Sequence, residues 1–351
     1  MKINEFRSLL ANASSEDLIK VASEIYKALP KSLKGDSDYG IDAKIKMIIE
    51  HQDVSKVAPK VERIDYESLH DEINTFTENA YDYNYIKQNR IIPKAQRSKW
   101  RFSVMRFIKD LQKIPPDDEN YKDSILDLIK LYKTLSYGCC FYIFKTDDPF
   151  ASIGKAQFEY YEIICSRIFV NGFNKELLSE AIDASSMVSL DRVTLHIILI
   201  KILMEYIKER DDILYTIKTA CEMIDKIKDE LGDEPRHSFI ISEEHILYDQ
   251  KKMGIESIAA LVMGLYMKLA EYDTGCEYYW KTCENLGINV NIDRDTKEKD
   301  KEILFYCLLD RLSSMSDNDL LWVRFYEKYR DQVDPRVTLV KKYEELKKSL
   351  S

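Results

Sequence analysis

The scarcity of glycine and proline is the feature of this sequence that most limits its fold. The 351 residues include 10 Gly and 8 Pro, well below typical shares of about 7% and 5%. Folds rich in strands need many tight turns, and tight turns need these two residues. Apolar residues also recur three and four positions apart along most of the chain, which is the spacing of an amphipathic helix. We therefore expect an all-α protein made of long helices and short polar links.

The links suggest how these helices are organised. Pro93 interrupts the helical pattern, so we expect an N-terminal helical region over residues 1–92 and a helical-repeat-like domain over residues 93–351. In the second region the predicted helices come in pairs with short links, and short links make neighbouring helices antiparallel. The sequence therefore predicts a curved, α-solenoid-like array of antiparallel helical hairpins.

Several helix boundaries can be predicted from capping residues and breakers. Ser14 or Ser15 is a candidate cap for the first helix, and Gly232 is a candidate end for the helix over residues 211–231. Further helices are predicted over residues 41–51, 66–86, 189–209, 242–251 and 254–271.

Composition and cysteine content indicate the cellular compartment in which a chain like this is expected. The chain is 45% hydrophobic and 32% charged, with a formal net charge of −9, which is typical of a folded soluble protein. The most apolar run, Val193–Ile207, carries Lys201 and Glu205 and is too short to span a bilayer. The first residues contain acids and bases and lack an apolar signal core. Because the seven Cys are an odd number in mostly apolar stretches, we expect reduced thiols, a cytoplasmic location and no membrane association.

One predicted hairpin has the spacing of a known repeat. Within residues 254–287, Gly264 is followed by Cys276, Trp280 and Cys283 at offsets of 12, 16 and 19. This pattern resembles a tetratricopeptide unit, in which small residues let two helices approach and an aromatic fills the gap between units. Two further positions and the closing proline of that pattern are not matched. The resemblance implies a helical repeat and, more weakly, a groove that binds protein.

The chain contains no pattern that specifies an enzyme or a metal centre. The five His and seven Cys form no HExxH or CxxC, and the chain lacks a P-loop, a GxGxxG and a GxSxG. His196 lies in the most apolar predicted helix and is expected to be a core residue. His70 and His245 stand beside acids in sequence and are expected on solvated helix faces. We therefore predict no catalytic residue, no metal and no cofactor.

The segment from Lys87 to Lys113 is basic within an acidic protein. It contains nine Lys or Arg and one acid, Asp110, which gives +8 over 27 residues. As a helix it would bury an apolar stripe of Trp100, Val104, Phe107, Ile108 and Leu111. The candidate binding residues of this segment are Arg97, Lys99, Arg101, Phe102, Arg106, Lys109 and Lys113.

This basic segment has three interpretations. It is a solvated helix face that meets acids of the same protein, or it binds an acidic protein, or it follows the phosphates of a nucleic acid. A second candidate contact surface is the aromatic cluster of Tyr81, Tyr83 and Tyr85, because tyrosine is enriched at interfaces. We predict a non-enzymatic interaction or scaffold protein with a protein partner. The alternatives are a nucleic-acid-associated repeat protein and an enzyme whose site is assembled from residues distant in sequence.

Overall fold

The structure is a computed structural model, and it describes residues 10–11, 13–28, 45, 64–232, 243–284, 286, 297–316, 318–333 and 335–350. In this part of the chain 76% of the residues are helical and no residue lies in a strand, which confirms the all-α prediction. The described α-helices are α1 (Ser15–Ala28), α2 (Tyr66–Tyr81), α3 (Lys94–Arg97), α4 (Trp100–Gln112), α5 (Tyr121–Phe141), α6 (Pro149–Ser152), α7 (Gln157–Ile168), α8 (Leu178–Ser185), α9 (His196–Tyr206), α10 (Arg210–Leu231), α11 (Glu243–Lys268), α12 (Tyr272–Glu284), α13 (Lys297–Met315), α14 (Asp319–Tyr329) and α15 (Val337–Leu350).

The chain divides into two compact units, residues Met1–Arg63 and Ile64–Ser351. In the first unit, Ser14 caps α1, because its Oγ accepts a hydrogen bond from the backbone N–H of Asp17 at 3.1 Å. The helix predicted over residues 41–51 lies almost entirely outside the described residues.

The second unit begins at Ile64, and within it α2 packs on α5. Tyr66, in the first turn of α2, donates a hydrogen bond from its hydroxyl to Asp127 of α5 at 2.9 Å. The aliphatic face of α2 is buried in the same core as the later helices.

Helix α4 buries the stripe that its sequence predicts. Trp100, Val104, Phe107, Ile108 and Leu111 are all buried, and α4 packs on α5. Burying these five side chains stabilises the unit by roughly 1.5–3 kcal/mol each. Since α4 is thus fixed on one side, its other side is available for contacts with solvent or partners.

Helices that are neighbours in sequence also pack together in the C-terminal part of this unit. From α10 to α15 each helix contacts the helix that follows it, and α9 additionally contacts α11 and α13. The predicted end of α10 is confirmed, because Gly232 follows Leu231 with a positive φ of 68°, a conformation that glycine adopts without steric cost.

Three predicted helix boundaries were wrong, each because a contact outweighed the local pattern. Helix α2 ends at Tyr81 and not at residue 86, because Asn84 turns back and donates from its side-chain amide to Asn79 at 3.0 Å. Helix α9 begins at His196 and not at residue 189, because the Asp191 carboxylate accepts from the Thr194 N–H at 2.6 Å and holds the preceding link.

The third error concerns α11, which runs unbroken from Glu243 to Lys268 through Gly254. Twelve consecutive residues, 254–265, are buried there. Their burial outweighs the cost of about 1 kcal/mol that a glycine imposes inside a helix.

Candidate binding surfaces around helix α4

Two of the predicted basic residues meet acids of the same protein. Arg106 pairs with Glu72 on α2 and lies 3.9 Å from Asp110. Lys113 pairs with Asp110 at 2.6 Å. These pairs are solvent-exposed, and such pairs contribute little stability. For Arg106 and Lys113 the structure therefore agrees with a solvated face that is neutralised within the chain.

Arg97 has a different position, because its guanidinium is bonded to the backbone of the link before α3. Its Nε donates to the Ile92 carbonyl at 3.0 Å and its Nη2 donates to the Asn89 carbonyl at 3.2 Å. These bonds hold the link that joins α2 to α3 and fix the guanidinium in place. Among the described residues, no carboxylate pairs with Arg97.

The remaining candidates on α4 surround two exposed apolar side chains. Phe102 is 57% exposed and Met105 is 47% exposed. The guanidinium of Arg101 lies 4.9 Å from the centre of the Phe102 ring, and Lys109 lies one turn beyond Met105 on the same side of the helix. We call Arg101, Phe102, Met105 and Lys109 the outer face of α4. Within the described part of the chain, neither Arg101 nor Lys109 pairs with a carboxylate, and the same holds for Lys99.

The three candidate tyrosines separate in the structure. Tyr81 packs edge-on against Tyr137 of α5 with 5.1 Å between ring centroids, and Lys87 lies 4.6 Å above the ring of Tyr83. Tyr85 instead turns into the core against Phe76, and burial raises its pKa above the ordinary value of a phenol. The predicted aromatic cluster is therefore divided between two environments.

Tyr85 also joins Arg97 and Arg101 in the lining of one cleft of about 890 Å³. The cleft lies between the link after α2, the start of α4 and the turn after α5. Its cations are Lys94, Arg97, Arg101 and Lys145, and its lining contains no Asp or Glu. We call it the cationic cleft.

An aromatic cluster forms the floor of the cationic cleft and connects the three segments around it. Phe144 stacks on Trp100 with 4.1 Å between ring centroids and lies 5.6 Å from Tyr85. The turn that carries Phe144 fits against α5 because Gly138 has no side chain, and a Cβ there would lie 3.0 Å from the Phe144 ring. The positions of the cations are therefore set by packed rings beneath them.

Tyr142 starts this turn in an unusual backbone conformation. Its φ is +52° and ψ is +40°, in the left-handed region that costs a non-glycine residue about 1–2 kcal/mol. This conformation ends α5, buries Ile143 and Phe144, and leaves Tyr142 half exposed at the cleft.

Two clusters of titratable residues distant in sequence lie elsewhere in the second unit. In the first, Arg311 donates from Nε and Nη2 to the two oxygens of Glu256 at 3.1 and 3.2 Å, and the Tyr279 hydroxyl donates to Glu256 at 2.5 Å. Burial lowers the pKa of Arg311, but the Glu256 carboxylate more than reverses this, so that the pKa is raised. The bonds join α11, α12 and α13 and give the cluster a structural role.

The second cluster corrects the prediction for His70. Its Nδ1 lies 2.9 Å from Oδ2 of Asp127, a carboxylate buried in α5. His70 is therefore bound across two helices and is not simply a solvated residue. Asp127 is 57 positions away in sequence, so the local sequence around His70 contains no sign of this contact.

Among the described residues, no group of three His, Cys, Asp or Glu side chains could hold a metal ion. In the same part of the chain, no helix combines the length and the apolar character needed to cross a membrane. No protein-family model matches the sequence, and neither a curated protein nor a solved structure is similar to it.

Sequence reasoning missed part of the cationic cleft. Lys94 belongs to the basic segment but was not among its candidate residues, and Tyr142 and Lys145 lie about 45 positions further along. No local pattern connects them to Arg97. They meet only because Phe144 packs on Trp100.

Proposed function

We propose that this protein is a non-enzymatic interaction protein that binds an acidic segment of a protein partner on the outer face of α4. The observation that carries the proposal is the exposure of Phe102 and Met105 beside the cations Arg101 and Lys109. Aromatic residues, Met and Arg are enriched in protein interfaces, and the neighbouring cations favour a partner of opposite charge.

The charges of the basic segment favour protein over nucleic acid. Arg106 and Lys113 are occupied by acids of the same chain, and Arg97 is bonded to backbone carbonyls. Of the six candidate cations, Lys99, Arg101 and Lys109 are those without such a partner in the described part of the chain. Three cations are few for following a phosphate backbone, because nucleic-acid affinity depends on the number of such contacts. The net charge of −9 also disfavours a polyanion over most of the surface.

The packing of the later helices supports a scaffold built as a helical-repeat array, as the tetratricopeptide resemblance implies. Each helix from α10 to α14 contacts its successor. Trp280 of α12 is buried and stacks on Tyr329 of α14 with 4.2 Å between ring centroids. Contact between successive hairpins is what a repeat array requires.

We place the protein in the cytoplasm. All seven cysteines are free thiols, and disulfides are rare in that reducing compartment. Burial raises the pKa of Cys165 and of Cys276 to about 12, which keeps both thiols in the unreactive protonated form.

The test compares an acidic amphipathic peptide, with Leu at helical spacing and Glu elsewhere, with labelled oligonucleotides. Both probes are titrated at physiological ionic strength into the parent and into a variant carrying Phe102→Ser, Met105→Ser and Lys109→Gln. The peptide is expected to bind the parent and to bind the variant at least about tenfold more weakly, because truncating interface anchors costs 2 kcal/mol or more.

The matched control removes exposed apolar side chains elsewhere, with Leu320→Ser and Val337→Ser, which are 64% and 70% exposed in the parent. The control is expected to bind the peptide like the parent. Equal peptide binding by the parent and the α4 variant would overturn the proposal. Tight oligonucleotide binding by the parent, lost in the α4 variant, would replace it with the nucleic-acid function.

A further inference from the structure

The cationic cleft concentrates positive charge that the protein leaves unpaired. Within the described residues, none of Lys94, Arg97, Arg101 and Lys145 forms an ion pair with a carboxylate. Elsewhere in the described chain, exposed cations do pair with acids, as Lys122 does with Glu176. Bringing four like charges to one concave surface is unfavourable by itself, and a bound anion would reverse that cost.

The acids that stand closest to the cleft in sequence are committed elsewhere. Asp147 pairs with Arg192 at 2.6 Å, and this arginine lowers the pKa of the Asp147 carboxyl. The Asp148 carboxylate caps α6 and accepts from the Ala151 N–H at 2.9 Å. Lys145 is only two and three positions away, yet neither carboxylate pairs with it. The fold thus keeps negative charge out of the cleft lining.

The groups that line the cleft are also held in place by hydrogen bonds within the protein. Arg97 is fixed by two bonds to backbone carbonyls. Asn89 organises the link beside it, accepting from the Ile92 N–H at 2.9 Å and donating to the Asn84 carbonyl at 2.7 Å. A preorganised cation loses little freedom when a ligand binds, so more of the interaction appears as affinity.

The volume of the cleft and its aromatic lining suit a ligand that is larger than a simple inorganic anion and that contains a planar ring. Its volume of about 890 Å³ falls within the range of roughly 300–1,000 Å³ that is usual for small-molecule sites. Tyr85, Trp100 and Tyr142 contribute to its lining, and Tyr142 is 50% exposed. A half-exposed ring beside cations offers a stacking surface for a planar heterocycle.

We propose that the cationic cleft binds a nucleoside phosphate. The phosphates lie among Lys94, Arg97, Arg101 and Lys145, and the base stacks on Tyr142. This site shares Arg101 with the outer face of α4, but its other lining residues are different, and it goes beyond the proposed function. It requires no chemical step, because the ligand is bound and not converted.

The experiment measures binding of ATP, tripolyphosphate and adenosine to the full chain by calorimetry at physiological ionic strength. Tryptophan fluorescence provides a second readout, because Trp100, one of the three tryptophans, lies in the cleft lining. ATP is expected to bind in the millimolar range or tighter and more strongly than tripolyphosphate or adenosine. The variant Lys94→Gln/Lys145→Gln is expected to bind ATP at least about tenfold more weakly, because it lacks two of the four cations that contact the phosphates. Arg97 is left intact, since it holds the link before α3.

Three further variants separate the possible results. Lys201→Gln/Lys341→Gln removes the same charge from exposed positions outside the cleft and is expected to leave ATP affinity unchanged. Tyr142→Ala is expected to reduce ATP affinity to that of tripolyphosphate. The variant with Phe102→Ser, Met105→Ser and Lys109→Gln is expected to bind ATP like the parent. A failure of the peptide-binding proposal can therefore be distinguished from a failure of the nucleoside-phosphate proposal.

Two outcomes would overturn the inference. One is the absence of ATP binding at millimolar concentration, or binding that the Lys94→Gln/Lys145→Gln variant retains in full. The other is tripolyphosphate binding as strong as that of ATP in both the parent and Tyr142→Ala, which would leave an anion site without a place for a base.

Discussion

The buried ion pair between Glu256 and Arg311 allows a quantitative test of how α11, α12 and α13 are held together. Replacing Arg311 by Met removes both guanidinium hydrogen bonds, at 3.1 and 3.2 Å. The side chains of Arg311 and Glu256 are only 16% and 12% exposed, so water cannot fully replace those bonds. Breaking one partner of a buried pair typically costs about 3–5 kcal/mol. For Arg311→Met we expect a loss of unfolding free energy near the lower end of this range, because Glu256 keeps the hydrogen bond from Tyr279.

The double variant Glu256→Met/Arg311→Met provides the control. It removes both charges, and pairs replaced in this way by apolar residues are often neutral in stability. The Tyr279 hydroxyl then loses its acceptor, which costs about 1–3 kcal/mol. We therefore expect the double variant to be more stable than Arg311→Met alone, a non-additive result that indicates direct coupling.

The assay is urea unfolding, followed by far-ultraviolet circular dichroism and by tryptophan fluorescence. Trp280 and Trp322 are buried in the same core as this ion pair, so fluorescence reports on its surroundings. If the slope of the unfolding free energy against urea concentration is unchanged, the variants expose the same surface area on unfolding as the parent. A loss below about 1 kcal/mol in Arg311→Met, the value of a surface pair, would refute the reasoning. The reasoning would also be refuted if the double variant lost as much stability as the sum of the losses in Glu256→Met and in Arg311→Met.

Three further predictions concern packing and pH. Trp280→Ala is expected to lower the free energy of unfolding by about 3–5 kcal/mol, because the indole is buried against Tyr329; a variant with the parent's melting curve would contradict this. Gly138→Ala is expected to cost about 1–3 kcal/mol in urea unfolding, since its Cβ would lie 3.0 Å from a buried ring, and equal or greater stability would show that the turn can move. Burial raises the pKa of Tyr160 and Tyr161 well above 10.0; the folded state therefore keeps protons that the unfolded state releases. This contribution to stability is complete below pH 10.0 and is lost as the pH rises further. We therefore expect the urea concentration at the unfolding midpoint to decrease above pH 10.0, and an unchanged midpoint would contradict this prediction.

The sequence was sufficient for features that depend on neighbouring positions along the chain. The shortage of glycine and proline and the helical spacing of apolar residues predicted the all-α class. The stripe from Trp100 to Leu111 was identified residue by residue, as was the stop at Gly232. The cap is Ser14, one of the two candidates that the sequence offered. Each of these rests on interactions within one or two helical turns, which a single sequence displays directly.

Local patterns failed where a distant residue supplied the stronger interaction. The contact of His70 with Asp127 joins residues 57 positions apart, and the start of α9 depended on the Asp191 carboxylate. The basic segment looked uniform in sequence. The fold divided it into residues paired with acids, an arginine bonded to backbone carbonyls, and cations without a carboxylate partner in the described part of the chain.

The composition of the cationic cleft was decided by tertiary structure alone. Lys94 and Lys145 lie about 50 positions apart, and they line one cleft because Phe144 stacks on Trp100 and Gly138 leaves room for the turn. The sequence specifies which side chains are apolar and therefore which helix faces become buried. Which of those faces pack against each other depends on complementary shape and contact area across the whole core, and that choice determines which charges meet at the surface.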